Sequence, residues 1–379
     1  TDTSRTWLFV LGDVEEAGDF YHDLTQIVGE EKVLFFPSSY RRAIRYGQKD
    51  AANEILRTEV LNRLQRQEAI CVVTYPDALA EKVVSKKDLA GKTLMLEVGQ
   101  RIETDVLMET LWKAGFEQVD YVYEPGQYSL RGSIVDVYSY ASEYPFRIDF
   151  FGDEVESIRT VEVESQLSRE KMEEISIVPK VTGKEAVPIT DFLPKNVILV
   201  TKDIEFIKGN IERLRNEGFS LQAKLSESKL PDMPELMSAV EIENFARHVK
   251  HWEMRSDNNS NCTKVKFDIS PQPLFQKDFD LVSNNFRSYI EKGYRLILLT
   301  DDMHQADRLK AIFDDRGDDI PFTPVGRTIH GGYIDNTLHI AFFTDHQLFG
   351  RFHNYKLRSE RARNGKVALT LKELKEFGI

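Results

Sequence analysis

The sequence has few of the residues that build disulfides, zinc sites or membrane spans. Its 379 residues include two cysteines, Cys71 and Cys262, which lie far apart and form no Cys-x-x-Cys pair. Neither a disulfide framework nor a thiolate zinc site can be built from them alone, and a reducing compartment fits best. The longest apolar runs, such as 197–200 and 296–299, are far shorter than the roughly 20 residues of a membrane-spanning helix. The polar start, TDTSRTW, is no signal peptide, so we expect a cytoplasmic protein with no membrane partner.

Positive charge is also scarce. Lys and Arg number 50 against 62 Asp and Glu, which gives a net charge of −12 at pH 7. Phosphate backbones repel such a chain, which argues against a dedicated nucleic-acid coat. Hydrophobic residues make up 41% and charged residues 30%, as in folded globular proteins. At roughly 150 residues per domain, the length predicts two or three domains.

Complete phosphate-binding motifs are missing. The sequence has no GxGxxG and no full GxxxxGK[ST]; the nearest string is Gly91-Lys92-Thr93, with Lys86 where the motif needs a glycine. A phosphate loop joins a strand to a helix, whereas the residues after Thr93 have the pattern of a strand. We therefore interpret 91–93 as a polar turn and expect no nucleotide, metal or other cofactor for this chain.

The first ninety residues alternate short apolar strands with amphipathic helices. Strands are predicted at 7–11, 32–36 and 70–74, and helices from the Asp13/Glu16 pair to Gly29 and over 50–67. This βαβ order predicts a parallel sheet covered by helices.

The pattern changes at about residue 94. A helix over 104–114 precedes closely spaced strands, predicted at 119–123, 127–130, 133–138, 145–151, 154–163 and 175–178. Their connections are too short for crossover helices, so this sheet is predicted to be mostly antiparallel.

From about residue 180 the α/β pattern resumes. The predicted elements are a strand at 197–200, a helix over 203–216, helices over 280–292 and 303–313, and strands at 295–300 and 337–343. We predict an α/β domain in two parts, 1–93 and 180–262, interrupted by an inserted α+β module, 94–179, and followed by a small α/β domain, 263–379.

One strand of the inserted module carries a candidate binding site. In 145–151 (PFRIDFF), a period of two puts Phe146, Ile148 and Phe150 on the core face. Arg147, Asp149 and Phe151 share the other face, and the preceding hairpin can place Arg131 nearby. Arginine beside an exposed aromatic residue is typical of binding hot spots. From the pattern alone, the preferred interpretation is a solvated face with Phe151 covered by a neighbouring loop, because scattered surface aromatic residues are common.

The strings around this strand are long and specific. The stretch 122–168, with RGSIVDV and SEYPFRIDFFGDEVESIR, closely resembles the module shared by UvrB and the transcription-repair coupling factors (Mfd) of nucleotide excision repair. The flanking strings VVTYPDALAEKVV and HIAFFTDHQLFGR also resemble the coupling factors. A tyrosine-rich strand-separating hairpin and a helicase Walker pair are absent from the sequence, which favours the coupling factors over UvrB.

The resemblance implies a partner and its contact residues. In this family the module docks UvrA through two arginines and a phenylalanine, which match Arg131, Arg147 and Phe151. Asp149 is expected to orient the arginines, and Glu154 and Glu156 just past the turn to extend the charged rim.

The resemblance also implies a fold and a parent activity. The α/β domain is expected to be a degenerate RecA-like, helicase-like sheet in a chain without catalytic residues. The intact protein would be an ATP-dependent DNA translocase that uses ATP and magnesium and contacts RNA polymerase and double-stranded DNA through other domains. The start at Thr1 and the helical end suggest a piece of something longer, so truncation and degeneration both explain the missing nucleotide loop. The alternatives are a truncated UvrB-type helicase and an α/β ligand-binding protein.

Three further groups have weaker patterns. His248, His251 and Glu253 are residues of the kinds that bind metal ions. Their segment is instead predicted to be an amphipathic helix that packs through Phe245 and Trp252. Asp345-His346 is similar to a helicase acidic motif without its Walker partner, and Asp345 is expected to cap the next helix. The basic run consists of Arg351, Lys356, Arg358, Arg361, Arg363 and Lys366. It could contact DNA phosphates, although a solvated helix is the preferred interpretation.

Overall fold

The computed structural model describes residues 4–39, 51–180, 185–217, 235–254 and 262–351. The strands in chain order are β1 (Trp7–Val10), β2 (Val33–Phe35), β3 (Cys71–Thr74), β4 (Val83–Val84), β5 (Leu94–Glu97), β6 (Glu117–Gln118), β7 (Gln127–Arg131), β8 (Ile134–Val137), β9 (Phe146–Phe151), β10 (Glu154–Val161), β11 (Ser168–Met172), β12 (Glu174–Ile177), β13 (Ala186–Val187), β14 (Ile198–Thr201), β15 (Lys250–Glu253), β16 (Ile269–Pro271), β17 (Arg295–Leu299), β18 (Thr323–Val325), β19 (Tyr333–Asp335) and β20 (Ile340–Thr344). The helices are α1 (Val14–Val28), α2 (Ala51–Gln65), α3 (Pro76–Ala80), α4 (Lys86–Ala90), α5 (Thr104–Lys113), α6 (Ile204–Glu217), α7 (Ala239–His248), α8 (Phe279–Glu291), α9 (Met303–Asp315) and α10 (Asp345–Leu348).

The described residues divide into two compact units. The first contains 4–17 and 32–254, and the second contains 18–31 and 262–351. No helix in the described ranges is long and apolar enough to cross a membrane.

A parallel sheet forms one half of the first unit. Its strand order is β15-β14-β1-β3-β2, and all four pairings are parallel. Every residue of β1, β2, β3 and β14 is buried, as expected for parallel strands covered on both faces. The predicted α/β class, with a parallel sheet early in the chain, is confirmed.

The edge strand β15 corrects one prediction. The predicted helix through Trp252 is wrong, because α7 ends at His248 and Lys250–Glu253 pair in parallel with β14. The Trp252 ring meets Trp7 edge to face at 5.2 Å between centroids. Strand pairing and this aromatic contact outweigh the local helical pattern.

His251 makes the stability of this sheet edge dependent on pH. Its Nε2 lies 2.8 Å from Thr201 Oγ1, and burial lowers the pKa of the imidazole below 6.5. The unfolded chain therefore binds more protons than the folded chain as pH falls through about 6.5, and the free energy of unfolding decreases. We expect the amide protection factors in β14 and β15, which are corrected for the slower intrinsic exchange at low pH, to decrease between pH 7 and 5 in the wild type. His251→Gln should flatten this dependence; an equal slope in both proteins would contradict it.

The inserted module is built on a six-stranded sheet. Its order is β11-β10-β9-β8-β7-β6, antiparallel except for the β6–β7 pair. Helix α5 contributes Leu107 and Leu111 to the core that covers one face of this sheet. The mostly antiparallel prediction is confirmed, and the opposite face, which we call the open face, carries Arg131, Asp136, Arg147, Asp149 and Phe151.

Two strands of the module differ from the prediction. The predicted strand at 119–123 is wrong, because Gln127 Oε1 accepts hydrogen bonds from the backbone N–H groups of Tyr123 and Glu124, at 2.9 and 3.0 Å, in place of ladder bonds. The sequence pattern also missed β11, whose residues are polar and mostly exposed. Strand β12 forms as predicted, but it pairs with β5 in a separate two-stranded sheet.

The second unit contains a mixed sheet of order β16-β19-β20-β17-β18. Its core is rich in phenylalanine, including Phe275, Phe286, Phe313 and Phe343. Helices α8 and α9 and strand β17 lie close to their predicted positions. The predicted strand at 337–343 begins later, at Ile340, because Asp335 Oδ1 accepts hydrogen bonds from the backbone of Thr337 and Leu338 in a turn.

Candidate protein-interaction site

Asp136 lies at the centre of the open face. In β8 its neighbours Val135 and Val137 belong to the core, so the strand alternation turns Asp136 to the other side. Asp136 pairs across the strands with Arg147 on β9 and with Ser129 on β7. Only 2% of it is exposed, so the carboxylate must be satisfied by protein groups.

Two arginines satisfy this carboxylate. Arg147 donates from Nε to Oδ1 at 2.8 Å and from Nη2 to Oδ2 at 2.9 Å, a bidentate arrangement. Arg131 Nη2 also donates to Oδ2. The hydrogen bonds with Asp136 raise the pKa of Arg147 above its ordinary value, so the guanidinium stays charged. With two cations on one carboxylate, the cluster keeps a net positive charge.

Backbone groups and an aromatic ring fix the two guanidinium groups further. Arg131 Nη1 donates to Asp120 O at 3.2 Å, and its guanidinium lies 4.6 Å from the centroid of the Tyr121 ring. Arg147 Nη1 donates to Gln166 O at 3.1 Å. The arginines are therefore held in one conformation before any partner arrives, which reduces the entropy lost on binding.

Phe151 ends β9 beside this cluster and is 79% exposed. The other face of β9 carries Phe146, Ile148 and Phe150 in the core, so the predicted assignment of the two faces is confirmed. The alternative in which a loop covers Phe151 does not fit this exposure. A two-residue turn follows, in which Gly152 has a φ of 63°, a conformation that favours glycine.

The two acidic candidates lie at the margin of the cluster. Asp149 Oδ1 accepts a hydrogen bond from Ser133 Oγ at 3.2 Å. The sequence analysis expected Asp149 to orient the arginines, but the carboxylate bonded to both of them is Asp136. Glu154 Oε2 lies 3.4 Å from Arg101 Nε, and both side chains are exposed. Glu154 therefore lies on a solvated rim next to Phe151.

Sequence reasoning missed Asp136, although a signal was present. In IVDV the flanking valines define the core face of β8, and the same period of two that assigns Arg147 assigns Asp136 to the open face. An acidic residue at such a position, one strand away from an arginine, predicts a cross-strand pair.

The Gly91-Lys92-Thr93 string forms a turn, as predicted. Helix α4 begins after Ser85, which caps it, and ends at Gly91, whose N–H donates to Lys87 O at 3.0 Å. Thr93 Oγ1 donates to Leu89 O at 2.8 Å, and β5 follows at once. The hydroxyl that a phosphate loop would direct to magnesium is thus bonded to the backbone.

The remaining candidates have structural partners. His248 Nδ1 lies 2.6 Å from Asn244 O on α7, whereas His251 belongs to β15, so the two do not share a helix. Among the described residues no group of three His, Cys, Asp or Glu side chains could hold a metal. Asp345 is the first residue of α10 rather than its cap, and Arg351 Nη2 donates to its Oδ2 at 2.6 Å. The rest of the basic run, from Lys356 onward, lies outside the described residues.

Comparison with known proteins assigns the module to a family. Residues 94–182 match the model of the UvrB interaction domain. This segment contains all of the open face described above.

Curated relatives match about two fifths to three fifths of the chain. The chain is 30% identical over 178 residues to the transcription-repair-coupling factor of Bacillus subtilis. The aligned segment covers 47% of this chain and 15% of that protein. The corresponding protein of Escherichia coli is 31% identical over 160 residues, 41% of this chain and 14% of that protein. The UvrABC system protein B of Thermosipho africanus is 24% identical over 249 residues, 61% of this chain and 37% of that protein. The resemblance to the coupling factors is confirmed, and the chain spans well under half of each relative.

Proposed function

We propose that this chain, similar to transcription-repair coupling factors and carrying a UvrB interaction domain at residues 94–182, recruits UvrA to damage that stalls RNA polymerase. One observation carries the proposal. The preorganised cluster of Arg131, Asp136 and Arg147 and the exposed Phe151 lie together on the open face of the segment that matches this domain.

The chemistry of the open face suits a protein partner. Phe151 offers an apolar anchor that loses its hydration when it enters a pocket, and the arginines offer directed donors whose positions are already fixed. Asp149, Glu154 and Arg101 form a polar rim of the kind that surrounds such anchors. The names of the relatives and of the domain support UvrA as the partner.

We extend the proposal to the wider function that the resemblance to the coupling factors implies. The intact protein would be an ATP-dependent DNA translocase that contacts RNA polymerase and double-stranded DNA through other domains, with ATP and magnesium in its motor. In this chain the parallel sheet would be a degenerate RecA-like domain that supports the inserted module and does no catalysis. The turn at 91–93, with Thr93 bonded to the backbone, is consistent with that role.

A UvrB-type helicase is the second candidate, because the match to the Thermosipho africanus protein covers 61% of this chain. The complete gene product separates the two functions. Co-purification with RNA polymerase would support the coupling factor, and strand separation of a damaged duplex without polymerase would support the helicase.

Phe151→Ala tests the docking role directly. We expect the dissociation constant for UvrA to rise about 30-fold, since truncation of a central aromatic anchor removes about 2 kcal/mol. The melting temperature should stay near that of the wild type, because the side chain is exposed in the free chain. Binding is measured by calorimetry or by surface plasmon resonance with immobilised UvrA.

Trp112→Ala provides the matched control. Trp112 is 67% exposed, but it lies on α5, which covers the core face of the module. Its removal should leave UvrA binding unchanged. If the Phe151 variant bound UvrA as tightly as the Trp112 variant, the assignment of the open face would be refuted.

A further inference from the structure

A row of cations continues from the arginine cluster to the edge of the sheet. The strand register places Asp136, Arg147, Arg159 and Lys171 opposite one another on β8, β9, β10 and β11. Neighbouring strands lie about 4.8 Å apart, so the row extends about 10 Å beyond Arg147. We call these three basic residues the cation row.

A bulge in β10 produces this alignment. Phe151 pairs with Glu154 and Phe150 with Val155, but Asp149 pairs with Ser157, so Glu156 is the extra residue. A strand without the bulge would turn Arg159 toward the core and Ile158 outward, since the period is two. The bulge instead buries Ile158 in the core and places Arg159 on the open face.

The outer two members of the cation row have no carboxylate partner among the described residues. Arg159 Nη2 donates to Ser157 Oγ at 3.1 Å, and its buried Nε has no acceptor. Lys171 is exposed and forms no ion pair with the described residues. Like charges directly opposite on adjacent strands are unfavourable, and Asp136, the carboxylate in line with the cation row, is already bonded to Arg131 and Arg147. The cation row therefore carries excess positive charge, which carboxylates of a partner can balance.

The observations favour an acidic protein surface over nucleic acid. The cation row lies on the same face of the sheet as Phe151, an apolar anchor with no role on a phosphate backbone. Two cations without a carboxylate partner would neutralise few phosphates, whereas they are enough to pair with individual carboxylates of a protein surface.

We propose that Arg159 and Lys171 extend the UvrA-binding surface across β10 to the edge strand β11, where they meet carboxylates of UvrA. This inference rests on the proposed function. It assigns a larger footprint than the cluster around Arg131, Arg147 and Phe151, and it specifies an acidic patch on the partner.

The test uses charge reversal at Lys171. With immobilised UvrA at about 50 mM salt, Lys171→Glu is expected to lower the association rate constant about tenfold, and the difference should shrink at about 500 mM salt. Arg159→Gln should raise the dissociation constant about fivefold, and Lys171→Arg should bind like the wild type. The control is Lys113→Glu, on the exposed side of α5, with the same charge change on the other side of the module.

The outcomes separate this inference from the proposed function. Equal association rates for the Lys171→Glu and Lys113→Glu variants would overturn the extended footprint while Phe151→Ala still weakens binding. Loss of duplex-DNA binding in Lys171→Glu with UvrA binding intact would overturn it in favour of a phosphate-binding edge. If the wild type failed to bind UvrA, both the proposed function and this inference would fall.

Discussion

Asp136→Ala is expected to lower the affinity for UvrA about a hundredfold and to destabilise the inserted module by about 2–3 kcal/mol. Asp136 is almost fully buried and is bonded to Arg131 and Arg147, the two arginines of the proposed docking surface. The substitution acts without removing any exposed group. Its predicted effect therefore tests whether the arginines must be held in place.

The two effects have separate physical causes. Without the carboxylate, Arg131 and Arg147 repel each other and lose their fixed geometry, so binding must pay for ordering them. Their side chains are 30% and 18% exposed and can turn partly toward water. For that reason we place the loss of stability below the 3–5 kcal/mol that follows when a fully buried pair is broken.

Affinity and stability have to be measured on the same variants. Calorimetry with UvrA gives the affinity, and amide hydrogen exchange in β8 and β9 gives the local stability without assuming two-state unfolding of a multidomain chain. Asp149→Ala is the matched control, because Asp149 shares the open face but bonds to Ser133; we expect less than a threefold effect on affinity. If Asp149→Ala were the more damaging change, Asp149 would be the orienting carboxylate and our assignment would be wrong.

The strand pattern predicted which residues of β9 lie on the open face, but not the carboxylate that holds the arginines. The alternation in 145–151 assigned Phe146, Ile148 and Phe150 to the core, because a buried face and a solvated face impose a strict period of two. The same rule assigns Asp136 to the open face. Its pairing with Arg147, however, depends on the register between β8 and β9, which turn geometry sets.

The cation row shows why register could not be predicted. In EVESIRTV the core residues Val155 and Ile158 are three apart, which no regular strand allows; only a bulge reconciles them. The polar sequence of β11 gives no periodic signal at all. The prediction for β15 was wrong for a different reason. Its short segment has a helical pattern, but pairing with β14 and the contact between Trp252 and Trp7 make it a strand.

The second large effect is expected at Glu81, in the parallel-sheet domain. The side chain is 1% exposed, and its carboxylate accepts hydrogen bonds from Ser38 Oγ and from Ser39 N and Oγ, the last two at 3.1 and 2.5 Å. Arg57 on α2 completes the network, with Nη1 3.6 Å from Oε2 and Nη2 donating to Glu81 O at 3.2 Å. This one residue therefore joins the segment after β2, helix α2 and the end of α3.

Glu81→Ala should destabilise this domain by about 3–5 kcal/mol, because it removes the buried carboxylate that pairs with Arg57 and accepts hydrogen bonds from Ser38 and Ser39. Arg57 also bonds to Pro37 O at 2.7 Å, which keeps it inside. We expect faster amide exchange in β2 and β3, with β8 and β9 of the inserted module unchanged. UvrA binding should be retained under conditions where the module stays folded.

Two comparisons decide whether burial is the cause. Glu68 pairs with Arg63 at 2.7 Å, but both side chains are partly exposed, so Glu68→Ala should cost less than about 1 kcal/mol. The double variant Arg57→Met, Glu81→Leu removes both charges at once, and it should be more stable than Glu81→Ala because the buried guanidinium leaves together with the carboxylate that pairs with it. If the double variant were instead less stable than Glu81→Ala, the network would stabilise the domain through its hydrogen bonds to Ser38, Ser39 and Pro37 rather than through charge pairing.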